Sequence, residues 1–407
     1  MGEILFLAHR IPFPPDRGDK IRSHHLLKAL ASLAPVHVGC FGETDADLAE
    51  EDALDGVSAS HCLVRRAKSL PLAGLEAVMR GKPVSLTAFD HPRLRAWVAD
   101  TLASRPIDTI FVFSGQMGQF VPDDFAGRVV IDLCDVDSAK FDAFGEGRMT
   151  PRAVIDRREG RLLAREEERL ACRADTTLLI TAEEAALFRS RLSDPAGLGI
   201  RPLPNGIDAD FFDPARAVPH PDLERGGSHF VFTGQMDYAP NVDAVRWFAN
   251  GVMPQLRRHH PGAVFHIVGR APTAAVEALG QTPGVRVWGS VPDMRPFLAG
   301  ADVVVAPLRI ARGIQNKVLE AMAMARPVVL SPEAATGIQA TDGRHFRIAD
   351  GVDGFVDALN DIATDKTAAN AMGKAARSFV LAEQSWPAML APLAQICGIE
   401  ERGRDAA

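Results

Sequence analysis

The sequence predicts an α/β protein built from two Rossmann-like domains facing each other across a cleft, and three observations predict it. The chain has 407 residues, too many for one ordinary compact domain. Short apolar runs alternate with helical patterns, as parallel sheets with crossover helices require. The alternation occurs twice, with a polar, Pro/Gly-rich stretch between the two series.

In the first series, residues 4–8 read as a strand buried on both faces. A Pro/Gly-rich loop over 12–18 follows, then Ile21, His25, Leu26, Ala29, Leu30 and Leu33 recur at helical spacing. Strands are expected over 36–41, 109–113 and 129–133, with a helix over 94–102. A long charged helix over 152–172, a strand over 177–181 and a helix over 182–191 complete this half. The second series has strands over 230–233, 263–268, 285–288, 301–306 and 328–330, the first three ending at Gly234, Gly269 and Gly289. Helices are expected over 242–256 and 316–325. These patterns place the domains at 1–214 and 228–380, joined by a linker over 214–227. A last helix over 382–396 is expected to pack back on the first domain, followed by a frayed, charged tail over 400–407. Ligands of open parallel sheets sit beyond the C-terminal strand ends, so the cleft is the expected site.

Composition narrows the function. The formal net charge of -7 lacks the basic excess of a nucleic-acid binder. Cys40, Cys62, Cys134, Cys172 and Cys397 are scattered without CxxC or CxxH spacing, which suits reduced thiols and gives no zinc site. The apolar run over 4–8 is too short for a signal peptide, and no stretch is long enough to span a bilayer. The expectation is a soluble, cytoplasmic protein, with peripheral contact at the inner face of the membrane left open. That contact rests on Arg148, Arg152, Arg157, Arg158, Arg161 and Arg165, set against Glu166, Glu167 and Glu168. The same helix also reads as a solvated face laced with ion pairs.

The most informative segment runs over 309–329. It leaves a strand, passes Gly313, enters a helix rich in small residues and breaks at Pro327. Asn316 is placed to cap that helix. The amides of Gly313, Ile314 and Gln315, with the helix dipole, suit an anionic diphosphate. Lys317 and Glu320 are three apart and share a face, a cation for phosphate beside a carboxylate for ribose hydroxyls. By spacing alone they fit a solvated Lys–Glu pair equally well.

In the first domain, Gly18 stands at the turn into a helix that Asp19 is placed to cap, with Lys20 toward the cleft mouth. Asp135 and Asp137 lie just past a strand end, where a catalytic carboxylate belongs, whereas Asp132 lies within the strand and reads as structural. Ser114 and Gln116 follow the strand ending at Phe113 and are expected to line the acceptor side.

The run Lys317-Val-Leu-Glu-Ala-Met-Ala followed by Pro327-Val-Val resembles the donor-site signature of family 4 retaining glycosyltransferases of the GT-B fold. Leu203-Pro-Asn-Gly-Ile-Asp, Phe232-Thr-Gly-Gln-Met-Asp-Tyr-Ala-Pro-Asn, Ile267-Val-Gly and Gly289-Ser-Val-Pro-Asp-Met are similar to that family in the same order. Pro12-Phe-Pro-Pro-Asp-Arg-Gly-Asp-Lys and Asp132-Leu-Cys-Asp-Val-Asp-Ser further resemble the sugar transferases of exopolysaccharide and PEP-CTERM exosortase systems. The resemblance implies a nucleoside diphosphate sugar as donor, a glycan or lipid-linked acceptor hydroxyl, and no cofactor or metal. It implies that Glu320, with Lys317 and Asp135, carries the chemistry, and that Gly289 and Val291 meet the base. Two departures stand out: Arg312 occupies the position of the family's first glutamate, and after Gly234, where many members have a basic pair for the diphosphate, the chain offers Gln235 and Asn241. The diphosphate charge then falls to Lys317, Arg312 or Arg309. A nucleotide-sugar epimerase of the same fold, or a non-catalytic nucleotide- or glycan-binding homologue, is the alternative. A dinucleotide oxidoreductase does not fit, because Ala8-His9-Arg10-Ile11-Pro12 replaces the expected Gly-x-Gly-x-x-Gly.

Overall fold

A computed structural model of the chain describes residues 2–146, 150–224, 226–311 and 313–399. Arg148, Arg312 and the tail from Glu400 lie outside the described residues. The chain divides into two compact units, one of residues up to Asn205 together with those from Met389, the other Gly206–Ala388.

The first unit holds seven strands: β1 (Glu3–Ala8), β2 (Val36–Gly42), β3 (Ser60–Arg65), β4 (Ile107–Phe113), β5 (Arg128–Cys134), β6 (Thr176–Leu179) and β7 (Ile200–Pro202). They form one sheet in the order β3-β2-β1-β4-β5-β6-β7, every pair parallel. Every residue of β1 and β2 is buried, as expected of strands covered by helices on both faces. The second unit holds β8 (His229–Thr233), β9 (Val264–Val268), β10 (Val285–Gly289), β11 (Val303–Ala306), β12 (Val328–Leu330) and β13 (Arg347–Ile348). Their order is β10-β9-β8-β11-β12-β13, again all parallel. In each unit the order reverses beside the first strand, between β1 and β4 and between β8 and β11. Chain crossovers leave opposite ways there and open a crevice at the C-terminal strand ends.

The helices differ from the periodicity in instructive places. The charged helix is Pro151–Arg173, capped by the Thr150 hydroxyl, which accepts from the Ala153 amide at 3.2 Å. Ala182–Arg191 is similarly capped by Thr181. The continuous helix expected over 242–256 is broken into Ala239–Trp247, a π-turn Phe248–Val252 and Met253–His259. Pro254 explains part of this, since its nitrogen cannot donate to the preceding turn. The single last helix over 382–396 is also absent: Lys366–Glu383 ends, and only short turns Trp386–Met389 and Leu393–Ile396 follow. The final turn docks on the first unit, where the Thr109 hydroxyl donates to the Cys397 carbonyl at 3.2 Å.

Residues 214–227 are not a free tether. Leu223 is buried in the second core, and the His220 amide donates to the Pro296 carbonyl at 2.9 Å. The chain passes between units at Asn205–Gly206, where a Cβ on Gly206 would lie 2.4 Å from the Trp386 nitrogen. Only glycine lets the two segments run so close.

Candidate active site

In the second unit, the reversal point is built from the ends of β8 and β11 and the helix Asn316–Ala323. β8 ends in Thr233 and Gly234, and the Gly234 amide donates to the Val268 carbonyl at 3.1 Å. A Cβ on Gly234 would stand 2.8 Å from Asn241 Nδ2 and 3.0 Å from Lys317 Nζ. Lys317 Nζ donates to Asn241 Oδ1 at 2.6 Å, and Asn241 Nδ2 donates to the Gln235 carbonyl at 2.9 Å. The ammonium also lies 4.2 Å from the centre of the Phe232 ring. Residues of the expected donor site, Gly234, Gln235 and Lys317, are therefore one cluster, with Asn241 as its organiser.

The electrostatics of this cluster are unbalanced. Lys317 sits in the first turn of its helix, the positive end of the peptide dipoles, and no acidic residue shares that turn. No carboxylate lies within ion-pair distance of it among the described residues. Burial pulls the Lys317 ammonium down to about 8, against the attraction of Glu320. Burial likewise pushes the Glu320 carboxyl up to about 7, opposed by Lys317. Asn316 does not cap: it is the first helical residue, and the N-cap is Gln315, which makes no side-chain cap. Asn has the shape to cap, but the chain enters the helix one residue too early for Asn316 to be the N-cap. Thr233, at the end of β8, is also buried with a hydroxyl that has no hydrogen-bond partner.

The other donor-site residues are placed less tightly. Gly313 is exposed with φ +63, a left-handed turn natural to glycine, and its carbonyl accepts from Gln315 Nε2 at 3.1 Å. Ile314 is exposed beside Gly337. Arg309 does not reach the cluster: its guanidinium grips the Asp243 carboxylate bidentately, Nε to Oδ2 at 2.9 Å, on the outer surface. Gly289 ends β10 with φ +67 and lines a separate depression with Trp288 and Pro272. Val291 packs against the second core.

The first unit carries its own pocket at the ends of β1, β4 and β5, about 350 Å³ in volume. It brings together Ser114, Asp135 and Asp137, and adds His9, Arg10, Arg17, Asp19 and Lys140. Ser114 and Cys134, which follow β4 and end β5, have φ of 78 and 66, unusual for residues with a side chain. Asp132 braces both: its carbonyl accepts from the Ser114 amide at 2.8 Å, and its Oδ1 accepts from the Cys134 amide at 3.0 Å. Its other oxygen holds the buried Arg22 guanidinium at 2.8 Å, so its role is structural. Lys140 Nζ bridges Asp135 at 2.8 Å and Asp137 at 3.2 Å, tempering the charge of both.

Asp19 does not cap its helix. It lies in the first turn and binds Arg17 at 3.1 Å, His9 at 3.3 Å and Arg10; against burial, His9 and Arg10 hold its carboxyl far below the usual range. His9 is itself buried, and its ring stacks on Phe113 with centroids 5.7 Å apart. Gly18 begins the helix in open space. Lys20 does not face the pocket: it is buried, bonded to Asp47 at 2.6 Å and to the Phe13 carbonyl at 3.1 Å, fixing the loop instead.

Sequence reasoning passed over Arg270, which follows β9 and donates to Gln235 Oε1 at 3.0 Å. It also passed over the Arg10–Asp19–Glu43 network, where Arg10 Nε donates to Glu43 at 3.0 Å. The available signal was position: each first residue is a polar side chain just beyond a parallel strand's C-terminal end.

Two doubly wound parallel sheets, each with polar strand ends at its reversal point, define the GT-B glycosyltransferase architecture. Among solved structures, the chain is similar to sucrose-phosphate synthase from Thermosynechococcus elongatus, at 17% identity, TM-score 0.58, covering 97% of this chain and 98% of that one. It is equally similar to Anabaena HepE in complex with UDP and glucose, at 14% identity, TM-score 0.58, covering 98% of this chain and 100% of that one. Residues 227–365 match the family model described as glycosyl transferases group 1, and this supports a group 1 glycosyltransferase. A curated relative is the GDP-mannose-dependent alpha-(1-6)-phosphatidylinositol monomannoside mannosyltransferase of Mycolicibacterium smegmatis. It is 27% identical over 253 residues, an alignment covering 57% of this chain and 64% of the relative, just under two thirds of its length.

Proposed function

We propose that the protein transfers a sugar from a nucleoside diphosphate sugar to a hydroxyl of a glycan or lipid-linked acceptor, with retention at the anomeric carbon. The observation that carries this reading is Lys317: a desolvated cation at the positive end of a helix, bonded to a neutral amide beside a glycine strand end. Such an arrangement is unfavourable alone and is relieved by an anion with several oxygens. A diphosphate supplies that charge. Lys317 and the amides of the helix entrance would stabilise it as it departs, which is where negative charge develops. Glu320, one turn on, is positioned to accept from ribose hydroxyls. Arg270, just past β9 and bonded to Gln235, would be a second cation for the phosphates, in place of the basic pair that the family 4 pattern has after β8.

The pocket of the first unit is assigned to the acceptor. Asp135 and His9 are its candidate proton acceptors, Asp135 being the more accessible. Family 4 membership, the retaining outcome and a place in exopolysaccharide or glycolipid assembly rest on the motif resemblance; the lipid acceptor named for the mycobacterial relative supports the last. No group of His, Cys, Asp and Glu able to hold a metal occurs among the described residues, and the reading calls on none.

A screen of nucleoside diphosphate sugars with and without acceptor tests the class. Release of nucleoside diphosphate only with acceptor supports transfer; conversion of the donor without acceptor identifies an epimerase instead. In the same assay, Glu320→Ala is expected to weaken the donor by about 10–100-fold, through loss of hydrogen bonds to a charged group. Unchanged donor affinity discards the ribose role.

A further inference from the structure

The helix Leu70–Arg80 of the first unit is built inside out. Its buried face is Ala73 and Ala77, one turn apart and both fully covered. Its large apolar side chains face solvent: Leu72 is 56% exposed, Leu75 59%, Val78 67% and Met79 72%. Leu72, Leu75 and Met79 follow the i, i+3, i+7 rule, so with Val78 they make one stripe. Core packing does not call for this, because a helix held by two alanines is served equally well by polar residues outside.

A second helix is tied to the end of this one. Arg158 Nη2 donates to the Ala77 carbonyl at 2.8 Å and to the Lys82 carbonyl at 3.2 Å, which ties Pro151–Arg173 to the end of Leu70–Arg80. One turn before Arg158, Val154 and Ile155 are 58% and 59% exposed. Four exposed apolar side chains on one face of a single helix mark an interaction surface rather than scattered surface residues.

The rim has a sign. Glu76, the acid of the helix, is neutralised by Lys68 at 2.8 Å and Arg80 at 2.9 Å. Beyond Gly81 opens a crevice of about 650 Å³ to which Lys82, Arg95, Arg165 and Arg169 contribute, against Glu166 and Asp123. Asp90 also takes Arg80 at 3.2 Å and Arg95 at 2.8 Å, and Lys82 and Arg165 are left with no ion pair among the described residues. Apolar side chains bordered by this residual excess of cations match a layer whose surface is anionic and whose interior is apolar.

We propose that this face docks the protein on an anionic lipid bilayer, the stripe entering the headgroup boundary and the cations meeting lipid phosphates. The sequence suggested such contact from the arginines of the long helix. The structure assigns the apolar part to a different helix, and Glu159 and Glu167 of the arginine helix are turned inward, onto the Val84 and Ser85 amides and onto Ser138. The docking face is separate from the sugar-nucleotide site, so failure of the transfer reading leaves it standing.

The test is flotation of the full chain with phosphatidylcholine vesicles, pure or with about a quarter phosphatidylglycerol, at low and high salt. The wild type is expected to float with the anionic vesicles and to be released by salt. Leu75→Asp/Met79→Asp is expected to lower the bound fraction about tenfold, with no change in melting temperature because both sites are exposed. Arg80→Glu/Lys82→Glu is expected to lower binding to anionic vesicles alone, while Leu381→Asp, an exposed leucine of the second unit, changes nothing. Absence of the wild type from both vesicle types overturns the proposal. So does binding by the Leu75→Asp/Met79→Asp protein equal to wild type, or a dimer in sedimentation that this variant dissolves while vesicles capture nothing.

Discussion

Asp132 shows how one side chain can set the shape of a pocket without entering it. It is fully buried, and its carboxylate neutralises Arg22, whose Nη1 reaches Asn205 at 2.8 Å. Removing one partner of a buried pair strands the other charge, so Asp132→Ala is expected to destabilise the protein by about 3–5 kcal/mol. The double change Arg22→Met/Asp132→Leu is expected to cost far less, since it leaves no buried charge. Urea unfolding compares them; equal losses would mean that the pair's charge is not what matters. The sequence placed Asp132 as structural because it lies inside a strand, and that reading survives. Lys20 was misread for the converse reason. It lies in the first turn of a helix that follows a polar loop, where the sequence gives no sign that Asp47 waits 27 positions later to bury it.

At the scale of elements, the glycines after the strands have different tasks. A Cβ on Gly269 would stand 1.6 Å from the Gly234 carbonyl oxygen, so backbone must move to admit it. Gly269→Ala is expected to destabilise the second unit by about 3 kcal/mol. Gly234→Ala meets side-chain atoms instead, Asn241 Nδ2 and Lys317 Nζ. It is expected to disturb the fold less and nucleoside diphosphate affinity more. Scanning fluorimetry and calorimetry on the two variants separate these outcomes; similar melting temperatures would show that β8 and β9 are not held this closely. Strand positions were legible because doubly buried strands are apolar runs, and β8, β9 and β12 fall within a residue or two of their expected places. Helix interruptions were not legible, because the π-turn at Phe248–Val252 keeps its apolar residues inward and leaves the periodicity nearly intact. The cap at Asn316 failed by one residue, the usual error where cap and first helical position share a residue type.

For the whole molecule, the order of motifs along the chain carried the class, and their chemistry needed the fold. The donor segment was legible as Lys317 and Glu320 on one helix face; that Asn241, 76 positions earlier, holds the lysine was not. The pocket of the first unit draws on the ends of three strands, so Ser114, Asp135 and Asp19 were found singly, and that Asp19 meets His9 and Arg10 there was not legible.

The central claim is that Lys317 is the cation for a nucleoside diphosphate, and its titration makes the claim testable. Its ammonium is lowered to about 8, so it is charged below that pH and neutral above it. A bound diphosphate raises that value again, so binding above about 8 takes up a proton and affinity falls with rising pH. Glu320, at about 7, is half ionised at pH 7 and ionised above about 8, so its own titration lies at the lower end of the range and is separated from that of Lys317 by the Lys317→Arg protein. The measurement is calorimetry of UDP, GDP and ADP at about pH 7 and about pH 9, on wild type, Lys317→Arg and Lys317→Ala. For whichever nucleotide binds, wild-type affinity is expected to fall up to about tenfold over that rise, since one proton is worth at most tenfold per pH unit. Lys317→Arg should hold its affinity throughout, and Lys317→Ala should be weak at both. Equal affinities for wild type and Lys317→Ala, with the same dependence on pH, would contradict it.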